Sequence, residues 1–335
     1  MATVTEQIRR HLGLEEADVQ FAAATKATGP GGLPMLGHLV WYSLAECRLG
    51  ADVLNQLYTD HGLPSKHAPR RIRARDAFRR ATTGLYHKVP REQGEVRYMI
   101  RDVATTPKEI ARGLVAEIVD KEGRRLAYYH TGTVVYQDET DAIYWMPGDD
   151  SVPGELEATA LKLVDLIRQA FTTARGHYTS SHIRRIVRLV LDELYPVAVR
   201  PSGGVYFVPT GGEDTLRRLQ AFLHAVGTTA GVHAEFRLVP LLDTAEQREM
   251  VRASAVQEVT AQVEAMLHQM EVVLKERAGQ ELRQSDIQAV AGRWQYIRDL
   301  AKQYRDLLED QLAELDGKLD YARLQVEAFL ERAAG

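Results

Sequence analysis

TAEQREMVRASAVQEVTAQVEAMLHQMEVVLKER (244–277) is a helix by every local sign. Val256, Val259, Val263, Leu267, Met270 and Val273 step by three and four, which lays one apolar stripe along a helix and, sustained over heptads, builds a coiled coil. Thr244 stands where an N-cap belongs, and Gln247 three residues on completes a capping box. Gly279 then breaks the helix. A second apolar stripe follows: Val290, Trp294, Ile297, Ala301, Tyr304, Leu308, Leu315, Leu319, Ala322, Val326 and Phe329. Gln311 is its one polar interruption, so the spacing predicts one helix from Ser285 to Glu331. At 1.5 Å per residue the two helices span about 50 and 70 Å. Either they fold back on each other as a hairpin, or they zip to another copy of the chain.

Upstream the period changes. EVRYMIRDVA (95–104), ARGLVAEIVD (111–120), RLAYYHTGTVVYQ (125–137) and AIYWM (142–146) are rich in Val, Ile and Tyr and partly alternate, as strands do. Lys121-Glu122-Gly123-Arg124 is a turn between two of them. The expectation is an antiparallel meander of three or four strands. GDDSVPG (148–154) ends it. Helices follow at about 155–175 and 180–194, then strand, turn and strand over 195–209, a helix over 214–226 and a strand over 232–242. Nearer the start, helices are expected at 1–12, 35–48, 51–60 and 70–82, with a Gly/Pro-punctuated loop at 24–34.

The fold class is therefore α+β, divided into a helical region (1–94), an antiparallel sheet (95–150), a helix-and-hairpin unit (151–243) and a C-terminal pair of long helices (244–335). The 335 residues, 45% of them hydrophobic, are enough for a sizeable core. A net charge of −4 gives no global attraction to polyanions, so any nucleic-acid or membrane affinity must come from a local patch. The single cysteine, Cys47, excludes an internal disulfide framework and any multi-thiolate zinc site. The first twenty residues lack the apolar core of a signal peptide, and no run approaches a membrane span, so the expected compartment is the cytoplasm.

The strongest local patch is SKHAPRRIRARDAFRRATTGLYHKVPR (65–91), in which Asp76 is the only acid. On a helix starting near Pro69, Arg71, Arg75 and Arg79 step by four along one face. Arg70, Arg71, Arg75, Arg79 and Arg80 are the candidate phosphate contacts, because a guanidinium is always charged and grips phosphate oxygens two at a time. The competing reading is that they pair with the chain's own carboxylates. With the preceding helix and the Gly62–Pro64 turn, the segment has the layout of a helix-turn-helix with a longer turn.

TSSHIRRIVRLVLDELYPVAVRPSGGVYFVP (179–209) is a second candidate. A helix carrying Arg184, Arg185 and Arg188 leads into a hairpin whose loop follows Arg200. The order of elements resembles the recognition helix and wing of winged-helix domains, over some thirty residues and without diagnostic residues. The resemblance implies DNA contacts at Arg184, Arg185, Arg188 and Arg200. A helix and hairpin inside a larger α+β domain fits the same segment.

Tyr128, Tyr129, Tyr136, Tyr144 and Trp145 on the strands either stack on single-stranded bases or fill the sheet's core. Asp102, Glu117 and Lys121 loosely evoke a metal-dependent nuclease, but at the wrong spacing. No Walker A, GxGxxG, HExxH or GxSxG motif occurs, so no cofactor and no metal is expected. The sequence points to a non-enzymatic, oligomeric, nucleic-acid-associated protein that associates with itself through its C-terminal helices. The alternative is a scaffold whose basic segment docks an acidic partner.

Overall fold

The computed structural model describes residues 34–335 except 201, 202, 279, 311 and 335. The expected helix at 1–12 and most of the 24–34 loop lie outside the described residues. The chain is mixed helix and strand with antiparallel sheets, as the α+β reading requires. It divides into two compact units that interleave along the sequence.

The first unit comprises residues 46–58 and 68–183. Its centre is a five-stranded antiparallel meander: β3 (Tyr86–Arg91), β4 (Gly94–Thr105), β5 (Glu109–Val119), β6 (Arg125–Gln137) and β7 (Ala142–Pro147), in that spatial order. The four strands read from the alternation are present. The fifth, β3, comes out of the tail of the basic segment. Two helices, α2 (Ala74–Thr82) and α3 (Gly154–Gly176), pack together and against one face of the sheet. Phe78 of α2 and Leu156, Val164 and Ile167 of α3 meet Val96, Tyr98, Leu114, Val134 and Tyr136 in a closed core. Because strand side chains alternate, Val96 and Tyr98 turn to the helices while Glu95, Arg97 and Met99 turn away. Most of α1 (Ala51–Asp60) also belongs here, with the short pair β2 (Arg48–Gly50) and β8 (His177–Thr179).

The second unit comprises residues 34–45, 59–67 and 184 onward. A four-stranded sheet runs in the order β11-β1-β10-β9: β1 (Met35–Leu44), β9 (Val197–Ala198), β10 (Tyr206–Pro209) and β11 (Ala234–Leu242). The expected 35–48 helix is thus a strand. MLGHLVWYSL is buried along most of its length as an inner strand, and a segment covered on both faces loses the alternation that separates strand from helix. Gly37 also marks the strand, since a Cβ there would run into the Val208 carbonyl oxygen. Of the helices, α4 (Ser180–Asp192) belongs mostly to this unit, and α5 (Glu213–Ala230) packs on β11.

Downstream, α6 (Ala245–Glu276) starts at Thr244, whose side chain accepts the Gln247 backbone N–H at 3.3 Å as expected of an N-cap. The return bond of a capping box is not made, the Thr244 N–H going to the Leu242 carbonyl instead. The single helix expected over 285–331 is instead two, α7 (Gln284–Leu308) and α8 (Asp316–Ala334), separated by a short 3₁₀ turn at Ala313–Leu315. Glu309 and Leu312 adopt positive φ, which ends a right-handed helix. Leu312, buried between Leu308 and Leu315, keeps the four-three spacing across the break, which is why the sequence reads as one helix. Arg248 of α6 donates to the last carbonyl of α7, Leu308, at 2.9 Å. The three helices share one core, in which Val259, Val263, Met270, Trp294, Ile297, Tyr304, Val326 and Phe329 are buried. The heptad residues thus pack within one chain as three helices, where the sequence predicted a two-helix hairpin.

Candidate nucleic-acid interface

The candidate arginines do not form the stripe that the sequence suggested. Helix α2 begins at Ala74, so Arg70 and Arg71 precede it. Arg75 turns inward to Asp138 and donates to the Thr106 carbonyl at 2.6 Å. Arg79 pairs with Asp76 at 3.1 Å, and Arg80 donates to the Ala174 carbonyl at 2.8 Å. Arg75 and Arg80 tie α2 to its surroundings, while Arg79 pairs within the helix. Arg70 and Arg71 remain exposed, and no ion pair engages them among the described residues. Arg71 edges a shallow hollow of about 360 Å³ with Ile72, Phe171, Thr172 and Arg175. Thirteen residues, 61–73, separate α1 from α2, too many for a helix-turn-helix turn.

The second candidate group is also mostly committed. Arg184 donates to the Leu44 carbonyl at 2.6 Å. Arg188 pairs with Asp192 at 2.8 Å and lies over the Tyr206 ring. Arg185 and Arg200 are exposed. The hairpin is no free wing: β10 pairs with β9 on one side and with β1 on the other. The winged-helix resemblance therefore ends at the order of elements.

A different surface brings cations and aromatics together: the face of the five-stranded sheet turned away from α2 and α3. Its register sets side chains in cross-strand rows. Lys88, Arg97, Glu117 and Tyr128 form one row, Tyr86, Met99, Val115 and His130 the next, and Arg101, Gly113, Thr133 and Met146 the third. With strands about 4.8 Å apart, a four-strand row spans about 14 Å. Tyr86 (53% exposed), Tyr128 (47%) and Tyr144 (43%) stand on this face. Tyr129, Tyr136 and Trp145 pack on the helix side instead. The five aromatics thus divide between the two faces of the sheet, three on the helix side and two on the open side. Tyr136 is committed to the core, where burial and its donation to Asp141 (3.0 Å) push its phenol up to about 12.

Four cations on the open face meet two carboxylates. Glu95 takes Arg97 at 2.6 Å and Lys88 at 3.1 Å, and these two hold its carboxyl below the usual range. Glu117 takes Arg125, whose guanidinium also lies 5.7 Å from the centre of the Tyr128 ring. Lys88 sits likewise 5.7 Å from Tyr86. Arg101 is exposed, donates to the Met99 sulfur at 2.9 Å and pairs with no acid among the described residues. At one end of the face, Arg91, Arg97 and Lys121 with Glu95 and Asp120 line a cleft of about 350 Å³. The sequence held one signal for this surface, the alternation of 95–104, which sets Arg97 and Arg101 on the side opposite Val96 and Tyr98.

Other clusters are less suited to anions. A cleft of about 930 Å³ in the helical unit is lined by residues of α7 and α8. Arg298, Lys302, Arg305 and Arg323 there are matched by Asp299, Asp306, Glu309, Asp310 and Asp320. Asp102 and Glu117 fall on opposite faces of the sheet, paired with Arg112 (3.0 Å) and Arg125 respectively, so they do not converge on a cation. Among the described residues no group of three or more His, Cys, Asp or Glu is placed to hold a metal. Among them, too, no helix is long and apolar enough to cross a membrane.

The architecture is that of an α+β chain with a helix-backed antiparallel meander and a separate three-helix core. The chain belongs to the Family of unknown function (DUF6744), whose match covers residues 35–335. No curated protein and no solved structure matches it.

Proposed function

We propose that this chain is a non-enzymatic, cytoplasmic, nucleic-acid-associated protein. One observation carries the reading: on the open face of the sheet, Lys88, Arg97, Arg101 and Arg125 outnumber Glu95 and Glu117 and are interleaved with half-exposed tyrosines. Positive charge beside flat rings suits phosphate and base together. Arg70 and Arg71 add two uncommitted cations elsewhere on the same unit. The test is filter binding to homopolymers and to duplex DNA across a range of salt. Counterion release requires log affinity to fall linearly with log salt. Affinity that is absent or indifferent to salt overturns the reading.

A second reading, an assembly protein, is favoured by a specific observation. Arg75, Arg79 and Arg188 are already neutralised by the chain's own acids. Helix α8 meanwhile exposes Tyr321 and Leu324, one turn apart. Light scattering after nuclease treatment separates the two: particles that persist unchanged favour assembly.

A further inference from the structure

We infer that the open face of the five-stranded sheet is a platform for single-stranded nucleic acid, with bases stacked on Tyr86, Tyr128 and Tyr144 and phosphates held by Arg101 and by Lys121 of the end cleft. The inference rests on the nucleic-acid reading and narrows it from polyanions in general to unpaired strands.

The argument starts from what the rings lack. A large aromatic on a sheet normally packs in the core or against a cross-strand neighbour. Tyr136 and Trp145 do so on the helix side, within the closed core and its margin. On the opposite side Tyr86 and Tyr144 occupy the two edge strands and Tyr128 an inner one, each about half exposed. A duplex hides its bases' flat faces and presents groove edges and phosphates, and the grooves are read by a protruding helix or ribbon. A broad sheet with rings lying on it has neither. Unpaired bases, by contrast, offer a π-face to every ring they reach.

The charges are distributed to match. Lys88 and Arg125 are tied to carboxylates and also lie against the Tyr86 and Tyr128 rings. They keep two of the rings beside positive charge. Arg101 and Lys121 are exposed and have no acid partner among the described residues, so they are free to meet phosphate. Arg101 lies in the row beyond Tyr86 and Met99. Lys121 lies in the β5–β6 turn, beyond the row that contains Tyr128. Tyr128 and Tyr86 therefore lie between the Lys121 end and the Arg101 row, and Tyr144, paired with Val135, lies one row beyond Arg101, so a strand crossing the sheet with its bases down meets rings on both sides of Arg101.

Fluorescence anisotropy with labelled oligo-dT, oligo-rU and a duplex of matched length tests this. At least one single strand is expected to bind more tightly than the duplex. Tyr128→Ala and Tyr144→Ala are expected to weaken that binding by about 5- to 150-fold each, the range for loss of one stacked base. Tyr128→Phe, which keeps the ring, restores it. Lys121→Ala lowers the salt slope, while the tyrosine variants leave it unchanged. Far-UV circular dichroism and the Phe variant separate a misfolded sheet from a lost contact. Equal or tighter duplex binding, or Tyr→Ala variants that bind like the wild type while salt dependence persists, overturns the platform and leaves the broader reading intact. No binding to any of the three probes removes both.

Discussion

Arg252 of α6 lies 2.9 Å from Asp310 in the turn between α7 and α8, and its Nη2 reaches Glu314 at 2.7 Å. One guanidinium thus fastens the segment where the expected single helix is broken. Asp310 also accepts the Leu312 backbone N–H at 2.8 Å. That bond first, and Arg252 second, hold its carboxyl below the ordinary carboxylate range.

A pH dependence follows. A carboxylate whose folded pKa is depressed contributes stability above its unfolded pKa and loses it as pH falls through the folded value. Asp310→Asn is expected to lower the melting temperature at neutral pH and to converge with the wild type in acid. Thermal melts of both proteins from neutral to acid pH check this. A difference that stays constant with pH would show that the charge on Asp310 is not what holds the turn.

Tyr304 donates to the Tyr195 carbonyl at 2.9 Å from a fully buried position, and burial pushes its phenol well above the ordinary value. Tyr195 itself has φ of 51°, a strained setting for a non-glycine residue. Its carbonyl would lose this donor on Tyr304→Phe. A buried acceptor left unmade costs roughly 1–3 kcal/mol. Urea unfolding should show a lower midpoint with an unchanged slope.

Gly132 of β6 lies under the Trp145 ring so closely that a Cβ would overlap the indole. The ring covers the gap that the glycine leaves and packs β7 on β6. Gly132→Ala must displace the ring, at a cost of about 1–3 kcal/mol for overpacking. The checks are a lower melting temperature and a shifted Trp145 emission, read in a background where Trp41 and Trp294 are replaced by Phe.

Much of this fold was legible in the sequence, and the failures have physical causes. EVRYMIRDVA and the helix starting at Thr244 read correctly because each buries one face, which leaves a period, while 111–120, buried at nearly every residue, read as a strand from its Val and Ile content. MLGHLVWYSL did not, because an inner strand buried on both faces loses its alternation. The break between α7 and α8 did not show, because Leu312 continues the apolar spacing from Leu308 to Leu315, and long-range contacts from Arg248 and Arg252 hold the turn. The basic segment misled for the same reason. Charge density is local information, whereas the partners of Arg75 and Arg80, at Asp138 and Ala174, lie far along the chain. Arg97 and Arg101 became site candidates only once register placed them beside Tyr86 and Tyr128.

Helix α8 carries two apolar stripes, and the second carries the assembly reading. Ala322, Val326, Phe329 and Leu330 are buried in the helical core. Tyr321 (55% exposed) and Leu324 (53%) face away, and with Gly317 and Ala328 they continue a four-three-four spacing. That spacing suits a second copy of the same helix. Four half-exposed side chains, two from each copy, would contribute about 3–6 kcal/mol on burial, at roughly 1.5–3 kcal/mol for each fully buried side chain. Association itself costs about 4–15 kcal/mol, so the contact alone gives at most weak, reversible pairing. The expected outcome in sedimentation velocity is a mean mass that rises with concentration. Tyr321→Glu with Leu324→Lys should abolish the rise while leaving the melting temperature within a few degrees, since neither side chain is in the core. A wild-type mass that stays monomeric across all concentrations would remove self-assembly through α8.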